Sequence, residues 1–174
     1  MIMTRWLTDD EQSTWRAVLA MNRYIAESTD RQLQRDSGIP AAYYGILVTL
    51  SEAPDRRMRM TALADALEGS QSRLSHAVSR LEDRGWVERK RCDADGRGWY
   101  AVITDEGLAA LQSAAPGHAA HVRSIVFDVL TPQQQANLRE AAQLIADNLR
   151  PPHPAAAATA ATATAADGCV PTPA

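Results

Sequence analysis

The stretch from position 71 to 84 carries side chains that can bind the edges of DNA bases. Apolar residues from Leu74 to Leu81 recur with the spacing of one buried helical face, so the other side chains of this helix point outward. Arginine and glutamine form paired hydrogen bonds with base edges, and serine hydroxyls bind bases or phosphates. The outward face has no carboxylate before Glu82. The predicted DNA-binding residues of this helix are Gln71, Ser72, Arg73, Ser75, His76, Ser79 and Arg80.

A second group of cations follows this helix. Their charges would neutralise phosphates, and we expect them to position the protein on the DNA backbone rather than to read bases. One or two of them could instead only pair with the acidic residues Glu82, Asp83 or Glu88. The predicted backbone contacts are Arg84, Arg89, Lys90 and Arg91.

The elements around these residues have the order of a winged helix-turn-helix. Two short segments each show one apolar helical face, separated by a turn at Gly69. Gly85 supplies the left-handed residue that ends a helix, and a β-hairpin with a polar turn follows. This context favours DNA binding over an ordinary solvated face. The predicted helices cover 60–67 and 71–84, the strands start at Trp86 and cover 99–103, and the turn covers 93–98.

Longer helices are expected on both sides of this lobe. Thr8 and Glu11 have the spacing of a capping box, which opens the first of them. A proline at position 132 after Thr131 opens the last one. The predictions are a helix over 8–35, one after Pro40 closing near 53–54, a charged connection over 55–59, a helix from Thr104 toward Leu130 that is irregular near Pro116–Gly117, and a last helix ending at about 149.

Several of these blocks together resemble the MarR family of bacterial transcriptional regulators, over roughly residues 8–149. The blocks are Leu63-Ala64, the RLEDRGWVER run over 80–89, Asp95-Gly96-Arg97 and the ITDEG run over 103–107. Each is weak alone, but they occur in the family's order and spacing. The family usually has Leu-Thr after the wing, where this chain has Ile103-Thr104.

The resemblance implies a mostly α-helical fold with a small β-hairpin wing. It implies one domain over 1–149, with a winged lobe at about 55–103 and dimerisation helices at about 8–35 and 104–149. The partners implied are a second copy of the chain and a double-stranded DNA operator with an inverted repeat. Arg97 resembles the family's arginine that enters the minor groove, where a narrow groove favours a guanidinium.

The family commonly binds a small aromatic effector between its dimerisation helices and its DNA-binding lobe. Trp15, Tyr43 and Tyr44 place aromatic side chains near that position in this chain. Packing in the core is the alternative interpretation of these three residues, and the sequence leaves both open.

The composition predicts a cytoplasmic protein, and its charge distribution is compatible with DNA binding. The net charge of the 174 residues is −3, but residues 55–97 carry ten Lys or Arg against eight Asp or Glu, so this segment is +2 and the remainder −5. The two cysteines form no disulfide framework, and no stretch has the length and apolarity of a membrane span or a signal peptide. Residues 150–174 have no large apolar residue except Val170, and we expect a disordered tail.

Other kinds of site fit the sequence poorly. An EF-hand with Gly96 at its sixth position would need acidic ligands at Arg91 and Val102. His118 and His121 have no Cys or carboxylate in register to complete a metal site, so we expect them at the surface or an interface. Cys92 is expected to be structural rather than redox-active.

No cofactor, metal or catalytic activity is expected. Phosphate-binding glycine loops, HExxH and GxSxG motifs are all missing from the sequence. A winged helix that makes only protein contacts is the remaining alternative, and it would lack salt-dependent affinity for DNA.

Overall fold

A computed structural model of the chain describes residues 5–67, 69–91 and 98–149. The predicted wing tip with Arg97, the residue Cys92 and the predicted tail over 150–174 lie outside the described residues. Within the described part, the chain forms six α-helices and a small antiparallel sheet. The elements are α1 (Asp9–Ser37), α2 (Ala41–Glu52), β1 (Arg57–Arg59), α3 (Met60–Ala66), α4 (Gln71–Asp83), β2 (Val87–Arg91), β3 (Trp99–Ile103), α5 (Asp105–Val122) and α6 (Pro132–Leu149).

Local capping interactions define the ends of the helices. The Thr8 hydroxyl accepts a hydrogen bond from the Glu11 amide (3.2 Å), and the Glu11 carboxylate accepts one from the Thr8 amide (2.7 Å). The predicted capping box is therefore confirmed. Gly38, with φ of 68°, then ends α1 in the left-handed conformation. Thr131 and Gln134 form the same reciprocal pair at the start of α6.

The sheet has three strands in the order β1-β3-β2, one more than the predicted hairpin. β2 and β3 form the hairpin, with Arg89 opposite Ala101. The predicted charged connection over 55–59 was wrong in its second half, because Arg57–Arg59 pairs with β3. Three residues of alternating Arg and Met carry almost no strand signal by themselves. Pairing with a strand more than 40 residues away makes this segment a strand.

The core of the winged lobe lies between α2, α3, α4 and the sheet. Leu47, Leu50, Leu63, Val78 and Leu81 are completely buried there. Each such side chain contributes about 1.5–3 kcal/mol relative to an exposed one. Because Val78 and Leu81 belong to α4, this burial fixes which face of α4 points to solvent.

Helix α5 passes through Pro116 without interruption, so the irregularity predicted near Pro116–Gly117 was wrong. The helix instead widens into a π-helical turn over Arg123–Phe127, where the Asp128 amide donates to the Arg123 carbonyl at 2.9 Å. A π turn places one additional residue in the helix, which no local proline or glycine signals.

The start of α5 packs directly against the turn between α4 and β2. The Thr104 amide donates to the Trp86 carbonyl (3.0 Å), and the Thr104 hydroxyl donates to the Gly85 carbonyl (2.7 Å). Gly85 has φ of 72°, as predicted for the end of α4. A Cβ at Gly107 would lie only 2.1 Å from the Trp86 carbonyl oxygen. The fold therefore requires a residue without a side chain at position 107.

Candidate nucleic-acid interface

Helix α4 presents a polar face that is held outward by its buried side. The Ser70 hydroxyl accepts from the Arg73 amide (3.3 Å) and caps the helix. Leu74, Val78 and Leu81 are buried on the inner face. Of the residues predicted to contact DNA, Ser79 is half-buried, and the following six are exposed: Gln71, Ser72, Arg73, Ser75, His76 and Arg80.

A groove of about 600 Å³ runs beside the first turns of α4. Gln71 and Ser75 form one side, while β1, α3 and the hairpin form the others. Nothing in the sequence indicates that Arg59, Thr61 and Trp99 lie beside the polar face of α4, because they are distant in sequence and belong to three different elements. The lining residues are Arg59, Met60, Thr61, Gln71, Ser75, Arg89, Gly98 and Trp99.

Arg89 is directed toward α4. Its guanidinium pairs with the Glu82 carboxylate at 3.0 Å and donates to the Ser75 carbonyl at 2.7 Å. The Arg89 amide also donates to Glu82, at 3.0 Å. Arg89 is thus one of the cations for which an acidic partner was considered from the sequence.

Arg84 is engaged at the other end of α4. Its guanidinium donates to the Gly38 carbonyl (3.1 Å) and lies 4.9 Å from the centre of the Trp86 ring. The centre of the Tyr43 ring lies 5.9 Å from the same guanidinium. Arg84 thereby connects the end of α4 to the turn between α1 and α2. Arg84 therefore lies at the opposite end of α4 from Gln71, Ser72 and Arg73.

The remaining predicted cations are exposed. Arg80 pairs loosely with Asp83 (3.6 Å), and Lys90 pairs with Glu88 on the solvent side of β2. The Arg91 guanidinium lies 5.5 Å from the Trp99 ring, at the end of the described hairpin. Exposed pairs of this kind contribute little to stability, so these cations can exchange their partners for phosphates at small cost.

The three residues predicted for an effector pocket do not meet within one chain. Tyr43 and Tyr44 are partly buried against the cluster of Leu33, Ile39 and Ala114. Trp15 is 53% exposed, and it precedes Leu33 by 18 residues on the same helix, about 27 Å. Burial raises the pKa of the Tyr44 hydroxyl.

Polar side chains join α1 to α5 beside Tyr44. The His118 ring lies 4.7 Å from the Tyr44 ring, and its Nδ1 lies 3.2 Å from Oε1 of the buried Gln32. His121 Nε2 lies 3.0 Å from the Ser28 hydroxyl. Burial, and secondarily the charge of His121, lower the pKa of His118. Both histidines therefore lie at a helix–helix interface, and among the described residues no cluster of three or more His, Cys, Asp or Glu side chains could hold a metal ion.

A second exposed surface is apolar. Helix α6 has no buried residue, and large apolar side chains are exposed on it, on α1 and the segment before α1, and after the end of α5. No helix in the described ranges is long and apolar enough to cross a membrane. The exposed side chains include Trp6, Leu7, Trp15, Leu19, Phe127, Val129, Leu138, Leu144, Ile145 and Leu149.

Comparison with known proteins agrees with this arrangement. The profile of the MarR family matches residues 37–98. Among curated proteins, the chain is 27% identical over 101 residues to the transcriptional repressor MprA of Escherichia coli strain K12, covering 58% of this chain and 57% of MprA. It is also 27% identical over 89 residues to the repressor YetL of Bacillus subtilis, covering 51% of this chain and 53% of YetL. The matches thus span little more than half the length of these relatives.

Solved structures match over much more of the chain. Sco3205, a MarR family transcriptional regulator from Streptomyces coelicolor solved in complex with DNA, is 50% identical, with a TM-score of 0.82. That match covers 87% of this chain and 94% of Sco3205. AbsC, from the same organism and the same family, is 44% identical with a TM-score of 0.79, covering 84% of this chain and 99% of AbsC. The chain forms a winged lobe and is identical to Sco3205 at half of the aligned positions. It therefore belongs to the MarR family of transcriptional regulators.

Proposed function

We propose that this protein is a homodimeric transcriptional regulator that binds an inverted-repeat operator in double-stranded DNA. The observation that carries the proposal is the outward face of α4. Three buried apolar residues, Leu74, Val78 and Leu81, orient this face, and its exposed side chains can bond bases. The relative Sco3205, which is half identical, was solved on DNA.

In this proposal α4 enters the major groove and the hairpin lies against the flanking DNA. Arg73, with Gln71 and Ser72, occupies the N-terminal turn of α4, which is the part of a recognition helix that contacts base edges. The exposed Lys90 and Arg91 contact phosphates, and Arg97, outside the described residues, is proposed to enter the minor groove. The winged lobe is assigned to about 55–103.

The dimerisation body is assigned to helices at about 8–35 and 104–149. Its support is the apolar surface, because a monomer rarely leaves so many large apolar side chains in water. Leu144 and Leu149 are 66% and 70% exposed on a helix that has no buried residue. A second copy of the chain would cover this surface by two-fold symmetry.

We also propose a small aromatic effector, bound near Tyr43 and Tyr44. Their rings lie where α1 and α5 meet the winged lobe, and Tyr43 also contacts the Arg84 guanidinium at the end of α4. A ligand at this junction would therefore act on the position of α4. Core packing is the alternative role of the two tyrosines. In this proposal the protein acts in the cytoplasm and catalyses no reaction.

Selection of bound sequences from a random pool of duplexes tests this function. The expected result is an inverted repeat whose half-site centres lie about 34 Å apart, as two-fold related recognition helices require. Affinity should fall steeply with salt, because phosphate contacts release counterions. Failure to enrich any sequence, together with no salt-dependent affinity for DNA, would favour a winged helix that makes only protein contacts.

A further inference from the structure

The ion pair between Arg89 and Glu82 joins the two elements that the proposed function places on DNA. Glu82 belongs to the last turn of α4, and Arg89 is the central residue of β2. One carboxylate oxygen accepts from the Arg89 amide and the other from its guanidinium, each at 3.0 Å. The guanidinium continues to the Ser75 carbonyl at 2.7 Å, two helical turns before Glu82.

This contact satisfies one backbone amide on the outer edge of the hairpin. β2 is an outer strand of the sheet, since the order is β1-β3-β2. An outer strand normally leaves its amides to water or to another chain. Here the Arg89 amide points away from β3 and donates a hydrogen bond to the Glu82 side chain of α4.

Burial distinguishes the Arg89–Glu82 pair from its neighbours. The two side chains are only 25% and 28% exposed, whereas those of Lys90 and Glu88 are 60% and 48% exposed. Breaking a partly buried pair leaves an uncompensated charge, which costs more than breaking a surface pair. This contact therefore adds to the core packing of Val78, Leu81 and Val87 in holding β2 against α4.

We propose that Arg89 is a positioning residue, which holds the wing at the angle to α4 that lets both reach one half-site. The sequence predicted a phosphate contact for Arg89 and left pairing with Glu82 open as the alternative. The two roles differ in what the Arg89 charge does. In the positioning role the Glu82 carboxylate neutralises the Arg89 charge, and the guanidinium already donates to Glu82 and to the Ser75 carbonyl. Arg89 therefore releases no counterion when DNA binds. This inference rests on the proposed DNA-binding function.

Glu82→Gln separates the two roles by the sign of its effect. Removing the carboxylate charge would free a phosphate-binding Arg89, so affinity for the operator would rise and its salt dependence would steepen. If Arg89 positions the wing, the same change weakens the clamp, and affinity should fall on the order of tenfold, the size of coupling found between residues in contact. Arg89→Lys keeps the charge but loses the forked geometry, and we expect a similar fall.

The measurement is fluorescence anisotropy on the selected operator at several salt concentrations. For Glu82→Gln and Arg89→Lys the slope of log affinity against log salt should become shallower, because a displaced wing loses the phosphate contacts of Lys90 and Arg91. A phosphate-binding Arg89 would instead give a steeper slope with Glu82→Gln and an unchanged slope with Arg89→Lys, which keeps the charge. Lys90→Ala is the matched control on the same strand, and it should reduce that slope by about 0.9, the value for one phosphate contact. The double variant Glu82→Gln with Arg89→Lys should bind no more weakly than either single variant.

Footprinting distinguishes positioning from general destabilisation. With either single variant, hydroxyl-radical protection should be lost at the operator flanks, where the wing lies, while major-groove guanines stay protected from methylation. Loss of flank and major-groove protection in equal proportion, tighter binding by Glu82→Gln, or an unchanged salt slope with Arg89→Lys would overturn the proposal. If the parent protein binds no duplex at all, the proposed function fails as a whole. If the parent binds and the variants depart from expectation, only the role of Arg89 fails.

Discussion

Replacing Gly107 with alanine tests the packing between α5 and the turn that follows α4. The new Cβ would lie 2.1 Å from the Trp86 carbonyl oxygen, 2.9 Å from the Trp86 carbonyl carbon and 3.0 Å from a side-chain carbon of Ile103. Cβ atoms essentially never come within 3.0 Å of another heavy atom. Because the closest atoms belong to the backbone, no change of rotamer relieves the clash. Either α5 or the turn must move.

The cost follows from the contacts that such a movement disturbs. Inserting a methyl group into a well-packed site costs about 1–3 kcal/mol. The hydrogen bonds from Thr104 to the Trp86 and Gly85 carbonyls hold the same junction, at 3.0 and 2.7 Å, and each contributes about 0.5–1.5 kcal/mol. Alanine regains at most about 1 kcal/mol of helix propensity. We expect a net loss of about 2–4 kcal/mol in the free energy of unfolding.

Equilibrium urea unfolding at fixed protein concentration measures this loss. Gly117→Ala is the matched control in the same helix, because its Cβ would meet only the Gln32 amide nitrogen, at an ordinary 3.7 Å. That variant should be as stable as the parent or more stable, by up to about 1 kcal/mol. If Gly107→Ala unfolds within about 0.5 kcal/mol of the parent, the range of a harmless surface change, the close approach of α5 to Trp86 is refuted.

Three further predictions concern DNA, assembly and pH. Arg73→Ala should cost about 1–3 kcal/mol per half-site and relax preference at one base position, measured by anisotropy on matched duplexes; an equal loss on every sequence would place Arg73 on phosphates. Leu144→Asp should place a charge in the proposed dimer interface and convert the dimer to a monomer at micromolar concentration; an unchanged sedimentation coefficient would contradict that interface. Because the pKa of His118 is lowered in the folded protein, its contribution to stability is present above the ordinary value of 6.5 and declines as pH falls from there through the folded pKa. His118→Asn keeps a donor near Gln32 and should therefore lose less stability between pH 7.5 and 5.5 than the parent, as measured by urea midpoints. Equal losses in the two proteins would show that His118 does not cause the pH dependence.

The features that the sequence predicted well are those whose cause lies within a few residues. The capping box of Thr8 and Glu11 involves positions three apart, and the buried face of α4 repeats every three or four residues from Leu74 to Leu81. The left-handed Gly85 is equally local. Such signals depend on the geometry of one helix, so they can be read before the rest of the chain is placed.

The partners of the cations were decided by the tertiary structure. Arg84, Arg89 and Lys90 look alike in the sequence. All three were predicted to contact phosphates, with pairing to Glu82, Asp83 or Glu88 left open for one or two of them. The fold places Arg84 against a carbonyl 46 residues away, Arg89 against α4, and Lys90 in an exposed pair with Glu88. A long flexible side chain can reach partners from any nearby element, so its role depends on which elements the core brings together.

The strand Arg57–Arg59 and the requirement for Gly107 have the same origin. Arg57 becomes part of the sheet only because β3 offers it a pairing edge opposite Val102. Gly107 stands in the family-like ITDEG run, but the sequence does not say why a glycine is needed there. The reason is the carbonyl of Trp86, 21 residues earlier, at a distance that leaves no room for a Cβ. Local pattern determined which segments form helices and which faces they bury, and long-range packing determined which backbone and charged groups meet.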